Sequence, residues 1–160
     1  FELGDQIVVG DTEGGVERID LRATHVRTYD GRLVLVPNGE VFTSRVTNNT
    51  ASPVRRGTVG VPVGYDADLR VVTSVVGRAL GGVSGVLADP APNVRIGDLT
   101  ADGVVVEARY WADSRRSDFT ATAAEVRRAV VEGMRAAGIA LPDAAVHVVV
   151  DRRPDRPSPS

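Results

Sequence analysis

Between Arg27 and Asn49 the chain reads RTYDGRLVLVPNGEVFTSRVTNN, and two turn signals set this close together leave little freedom for what surrounds them. Asp30-Gly31 separates Thr24-His25-Val26-Arg27-Thr28-Tyr29 from Leu33-Val34-Leu35-Val36. Asp-Gly suits a type I′ turn, in which both central residues take positive φ, so the two runs read as a tight hairpin. Pro37 has no amide to give a sheet ladder and Asn38-Gly39 tolerates left-handed backbone, so strand pairing is expected to stop there. It resumes from Arg45 to Asn49.

Upstream, Gln6 to Val9 reads as a short strand, Asp11 to Gly15 as a loop, and Val16 to Leu21 as a half-buried strand that alternates apolar and polar side chains. Five short strands within residues 1–52 predict a small barrel-like β domain of the Sm or SH3 kind. A unit this small buries little surface, so neighbouring subunits or the next domain are expected to complete it.

Ala51-Ser52-Pro53 interrupts the pattern, and a second domain is placed over residues 53–151. Thr58 to Val63 is a strand. Asp66 and Asp68 stand at a helix start, where acids cap free amides and face the positive end of the dipole. Leu69, Val72, Val76, Ala79 and Leu80 form the apolar stripe of that helix, which ends at Gly81-Gly82. Asn93 to Ile96 and Val104 to Trp111 are strands joined around Asp102-Gly103. Ser117 or Asp118 is expected to cap a second helix carrying Phe119, Ala123, Val126, Val130, Met134 and Ala137, ended by Gly138. Val146 to Val150 is read as the last strand. The order β-α-β-β-α-β is that of a ferredoxin-like split βαβ fold, so the class is α+β. Residues 152–160, with Pro154, Pro157 and Pro159, read as a disordered tail.

Composition narrows the function. A formal net charge of -2 argues against a broad nucleic-acid or anionic-membrane surface. With no cysteine there is no disulfide or thiolate site, and His25 and His147 stand too far apart in sequence for a ligand pair, so no metal and no cofactor is expected. No catalytic set is found: Asp66/Asp68 and Asp113/Asp118 flank helix starts, and Gly81, Gly82 and Gly85 do not sit between a strand and a helix as a phosphate loop requires. The chain is not read as an enzyme. All 19 basic residues are arginine. Arg55-Arg56 and Arg115-Arg116 keep open a soluble RNA-binding or protein-interaction module on Sm-like and ferredoxin-like folds. Only 4% of the residues are aromatic, however, and no strand carries the paired stacking residues of an RNA-recognition sheet. Tyr65, Trp111 and Phe119 read as core or interface residues. No apolar run approaches the roughly 20 residues that cross a bilayer as a helix.

Several blocks taken together resemble a known family. Phe1-Glu2-Leu3-Gly4-Asp5-Gln6-Ile7, Gly15-Val16-Glu17-Arg18-Ile19, Arg27-Thr28-Tyr29-Asp30-Gly31, Val36-Pro37-Asn38-Gly39, Pro53-Val54-Arg55-Arg56 and Gly138-Ile139-Ala140-Leu141-Pro142 follow one another as in the cytoplasmic part of the small-conductance mechanosensitive channel (MscS) family. The resemblance implies a homo-heptameric channel of the bacterial plasma membrane, opened by bilayer tension during hypo-osmotic shock and passing ions and small solutes. This chain would supply the cytoplasmic cage with side portals between subunits. The membrane helices would precede Phe1, and no nucleic-acid partner is implied. The resemblance places Asn38 and Gly39 near the pore helix, as a gating contact. It places Arg55, Arg56 and Thr58 where the side portals open, as determinants of ion preference. Two departures stand out. The prolines after Val150 leave few residues for a barrel closing the cage base, and Thr58 stands where relatives often carry an acid.

Overall fold

The structure is a computed structural model and describes residues 1–142. Alternating burial builds the first sheet: Ile7 and Val9 of β1 (Gln6–Val9), Val16 of β2 (Thr12–Ile19), Val26 of β3 (Ala23–Thr28) and Val36 of β4 (Leu33–Pro37) all point to one side. A short helix α1 (Asn38–Thr43) then returns the chain to β5 (Val46–Asn48), which pairs with β1. The strands are antiparallel in the order β4-β3-β2-β1-β5. Asp5 ties the two ends of this unit together: its carboxylate accepts from Asn48 Nδ2 at 2.8 Å, Thr50 Oγ1 at 2.9 Å and the Glu2 amide at 2.8 Å. These bonds, the Glu2 amide foremost, hold its pKa below the usual carboxylate range.

Three sequence expectations change here. The predicted loop from Asp11 to Gly15 is mostly strand, with Gly14 and Gly15 paired to Thr28 and Arg27. A Cβ on Gly14 would lie 2.1 Å from the Arg27 carbonyl oxygen, so the glycines that read as a loop mark a close approach of two strands. At the hairpin only Gly31 has positive φ, at 90°. Its amide donates to the Thr28 carbonyl at 3.0 Å, so Tyr29 and Asp30 form an ordinary turn closed by a left-handed glycine rather than type I′. Asn38-Gly39, expected as left-handed turn backbone, instead opens α1, because Pro37 fixes the φ that a helix entry requires.

The second sheet has the order β6-β8-β7, from β6 (Val54–Val63), β7 (Asn93–Thr100) and β8 (Gly103–Asp113), all antiparallel. Helices α2 (Leu69–Gly81) and α3 (Arg116–Ala136) cover one face of it. Val72, Val76 and Leu80 of α2 and Val126, Val130 and Met134 of α3 meet Val61, Val63, Val104, Val106 and Tyr110 in one core. Asp68 caps α2 as expected, its carboxylate accepting from the Arg70 amide at 2.9 Å. Gly138, at φ 69°, ends α3, with the Ile139 amide donating back to Met134. The cap of α3 departs from expectation. The helix begins at Arg116 after Arg115, and neither Ser117 nor Asp118 serves as the cap. Asp113 accepts from the Arg115 amide and Gln6 from the Arg116 amide, each at 2.9 Å, so the chain is already held at Arg115 and Arg116 and turns into the helix before Ser117. The strand expected over Val146 to Val150, His147 within it, and the tail over 152–160 lie outside the described residues.

Candidate functional site

The first group of sequence candidates sits where β4 becomes α1. Pro37 is the last paired residue of β4, opposite Ala23. Asn38 follows, and its whole side chain is engaged: Nδ2 donates to the Asp20 carbonyl at 2.9 Å and Oδ1 accepts from Thr24 Oγ1 at 2.9 Å. Its backbone amide donates to Arg22 at 2.9 Å. Asn38 therefore clamps the start of α1 onto the β2–β3 turn. That turn is itself held by ions: Asp20 Oδ2 lies 2.9 Å from Arg18 and 2.8 Å from the buried His25 ring. The structural role expected for His25 matches this placement.

Gly39 stands on α1 with nothing within 4 Å of the position a Cβ would take. Its backbone is right-handed, so the residue is neither strained nor crowded within the chain. Two large apolar side chains stand in water near the clamp among charged ones: Leu21, next to Arg22, is 94% exposed and Phe42 of α1 is 92% exposed.

The second group lies on β6, and the pleat divides it. Gly57, Val59 and Val61 face the helices, and so does Arg55, whose guanidinium lies 3.9 Å above the Phe119 ring. The Arg55 Nε is buried with no hydrogen-bond partner among the described residues. Phe119 stacks in turn near Tyr110, with ring centroids 6.2 Å apart. A Cβ on Gly57 would lie 2.4 Å from the Tyr110 ring, so β6 needs a glycine beside that aromatic stack. Arg56 and Thr58 point the other way and are exposed, opposite Trp111 and Arg109 across the ladder. That helix-free face also carries Glu107, which pairs with Arg109 at 2.7 Å, and Arg95 opposite Glu107. Among the described residues neither Arg55 nor Arg56 pairs with a carboxylate.

In the sequence Arg115-Arg116 stands out as a basic pair open to a nucleic-acid or protein partner. In the structure Arg116 stands at the junction of the two sheets, in contact with Gln6, Glu13 and Tyr29. Its guanidinium lies 3.9 Å above the Tyr29 ring and 3.1 Å from the Glu13 carboxylate. Burial, reinforced by Glu13, pushes the Tyr29 phenol above its ordinary pKa, while Arg116 and Arg55 act in the opposite direction. Beside these residues runs an open groove of about 620 Å³, bordered by Ser117 and Thr120 of α3. No pattern in the sequence links residue 116 to residues 6, 13 and 29, because the contact joins two separately formed units. Asn38 and Gly39, at the far end of β4, remain on a different element from Arg55, Arg56 and Thr58. Among the described residues no three histidine or acidic side chains converge as metal ligands, and no helix is long and apolar enough to cross a membrane.

Residues 1–51 match the family model described as the mechanosensitive ion channel beta-domain, and residues 58–141 match the mechanosensitive ion channel MscS C-terminal model. An uncharacterized MscS family protein of Synechocystis is 34% identical over 114 residues, which are 71% of this chain and 38% of that protein. The miniconductance mechanosensitive channel MscM of Escherichia coli is 28% identical over 143 residues, covering 89% of this chain and 13% of its own length. Among solved structures, the closed-state MscS of Helicobacter pylori superposes with a TM-score of 0.84 at 24% identity, over 96% of this chain and 60% of that one. The chain thus spans well under half the length of these two relatives.

Proposed function

We propose, from the premise that the chain belongs to the MscS family of mechanosensitive channels, that it forms the cytoplasmic cage of a tension-gated channel. The carrying observation is the succession of both family domains over residues 1–51 and 58–141, folded as two sheets in series. In this reading the β domain covers residues 1–52, the α/β domain residues 53–151 and a Pro-rich tail residues 152–160. Seven copies assemble beneath a pore formed by membrane helices from elsewhere in the protein. The channel lies in the bacterial plasma membrane with this region on the cytoplasmic side. It opens under bilayer tension in hypo-osmotic shock, and ions and small solutes pass through side portals. The family is one of channels rather than enzymes, and no cofactor is assigned.

Asn38 and Gly39 are proposed as the gating contact. The clamp at Asn38 fixes α1 as a rigid step, and the open space over Gly39 leaves room for the backbone of another helix to approach. For ion preference, Arg56 and Thr58 are the members of the second group that face solvent; Arg109 beside Thr58 is already offset by Glu107, so the net positive charge among these residues is that of Arg56. Arg55, turned onto Phe119, contributes field from the junction instead of lining an opening. Rings of charge at a constriction bias the ions that enter, so a modest anion preference follows. The test is patch recording from the full-length protein in spheroplasts lacking other tension-gated channels. Pressure-evoked unit currents are expected, with Thr58→Glu moving the reversal potential toward cations. Absence of any pressure-evoked current from membrane-inserted protein would overturn the channel reading, and an unchanged reversal potential would remove this segment from selectivity.

A further inference from the structure

Arg116 is held by three different parts of the first sheet at once. Gln6 of β1 accepts its backbone amide at 2.9 Å, Glu13 of β2 pairs with its guanidinium at 3.1 Å, and Tyr29 of the β3–β4 hairpin lies under that guanidinium at 3.9 Å. We propose that Arg116 is an interdomain pin: it fixes the angle between the first sheet and helix α3, so that the two domains turn as one body while these contacts last.

Each contact alone is modest, and the ion pair is exposed, with Arg116 at 44% and Glu13 at 41%, so salt screens it. Their geometry is what gives direction. A guanidinium is planar, so stacking on Tyr29 fixes its plane and the carboxylate of Glu13 fixes its rotation within that plane. The amide bond to Gln6 then fixes the axis of α3, because the first amides of a helix point along that axis. Gln6 also serves one of the free amides at the start of α3, where Arg115 supplies no side-chain cap, so that amide has its protein partner only when the first sheet is docked. The Ser114 amide donates to the Pro53 carbonyl at 3.0 Å, but both residues belong to the second unit, so this bond cannot set the angle of the first.

Residues 1–160 contain no cysteine, so once any cysteine elsewhere in the protein is replaced by serine, spin labels go only where they are introduced. Labels at Arg22→Cys and Arg135→Cys, both exposed and outside the junction, report the separation of the two domains by double electron–electron resonance on the intact membrane protein, assembled with an excess of unlabelled subunits so that each particle carries at most one labelled chain. The parent is expected to give a single narrow distance distribution at low ionic strength that broadens as salt rises. Arg116→Ala should lose the narrow peak at all ionic strengths, and Arg116→Lys, which keeps charge but not the planar stack, should give an intermediate width. If Arg116→Ala fails to fold, Glu13→Gln carries the test, with broadening at low salt to the width the parent shows only at high salt. A distribution unchanged from the parent in a folded Arg116→Ala, or in Glu13→Gln at low salt, would overturn the pin. Because the readout is a distance and not a current, its failure is separate from failure of the channel reading.

Discussion

The first sheet buries Ile7, Val9, Val16, Val26 and Val36 and leaves Leu3, Leu21, Leu35 and Phe42 more than half exposed. The second sheet, by contrast, encloses sixteen of the described residues between its strands and two helices. Apolar burial is worth about 25 cal/mol per Å². The second unit can thus meet its ordering cost from its own chain, whereas the first has a thin core and a large apolar surface still in water. The difference implies a division of labour: one self-sufficient body, and one whose stability is borrowed from what docks on it. The Arg116 junction is one such loan.

The largest effects should come from deleting core volume, with different consequences on the two sides. Leu80→Ala should destabilise the second unit by about 2–5 kcal/mol, seen as a lower thermal midpoint of its helical signal. Ile7→Ala removes a similar volume from a core of five buried residues. It should free the amides of β1 to β3 for rapid hydrogen exchange while those of β8 stay protected. Simultaneous loss of protection in β8 would show that the two units unfold as one and break the contrast. Smaller, at about 1–3 kcal/mol, is Gly57→Ala, which forces a Cβ against Tyr110 and should lower the same helical midpoint through misfit instead of a void.

Helix starts give the next rank. Asp68→Ala should cost about 1 kcal/mol and loosen only the first turn of α2, because that cap is local. Gln6→Ala, of similar size, should raise exchange at the start of α3 although the substitution lies in the other sheet. An unchanged α3 in Gln6→Ala would mean that water replaces the amide bond without loss.

The same contrast explains what could be read in advance. Periodicity placed all three described strands and both helices of the second unit, since Val72, Val76, Leu80, Val126, Val130 and Met134 recur at helical spacing and are buried. Ends were harder: β7 runs on to Thr100 through a bulge after Ile96, where a shift in register hides the alternation. In the first unit the strands were legible but their joints were not. Gly14-Gly15 pairs instead of looping, and Asn38-Gly39 winds instead of turning, because strand crossing and the fixed φ of Pro37 outweigh local preference. Of the candidate residues, the family resemblance pointed to Arg55, Arg56 and Thr58 together. The pleat that separates Arg55 from the other two follows from alternation, but the Phe119 ring that holds it follows only from tertiary packing.

Acid should act on the two units in order, and this is the smallest effect. In the first sheet Asp30 is held at about 2 by Arg32 first and Thr28 second, Glu17 is lowered chiefly by Arg27, and Asp5 by the Glu2 amide with Asn48 and Thr50. In the second unit, among the described residues, Glu125 alone is clearly lowered, by Arg128. A carboxylate whose folded pKa is depressed adds stability above its unfolded value, near 4, and loses it as pH falls through the folded value. The contribution of Asp30 should therefore be complete above pH of about 4 and disappear toward about 2. Asp30, Glu17 and Glu125 are exposed and Asp5 is half-buried, so each effect is small, but three of the four fall on the unit with the thinner core. Two-dimensional NMR spectra recorded downward from neutral pH should show native amide peaks of the β3–β4 hairpin weakening before those of β8. Asp30→Asn should flatten the acid dependence of that hairpin while leaving Asp5 and β5 unchanged. Earlier loss of the β8 peaks would place the acid-sensitive contacts in the second unit and reverse the comparison.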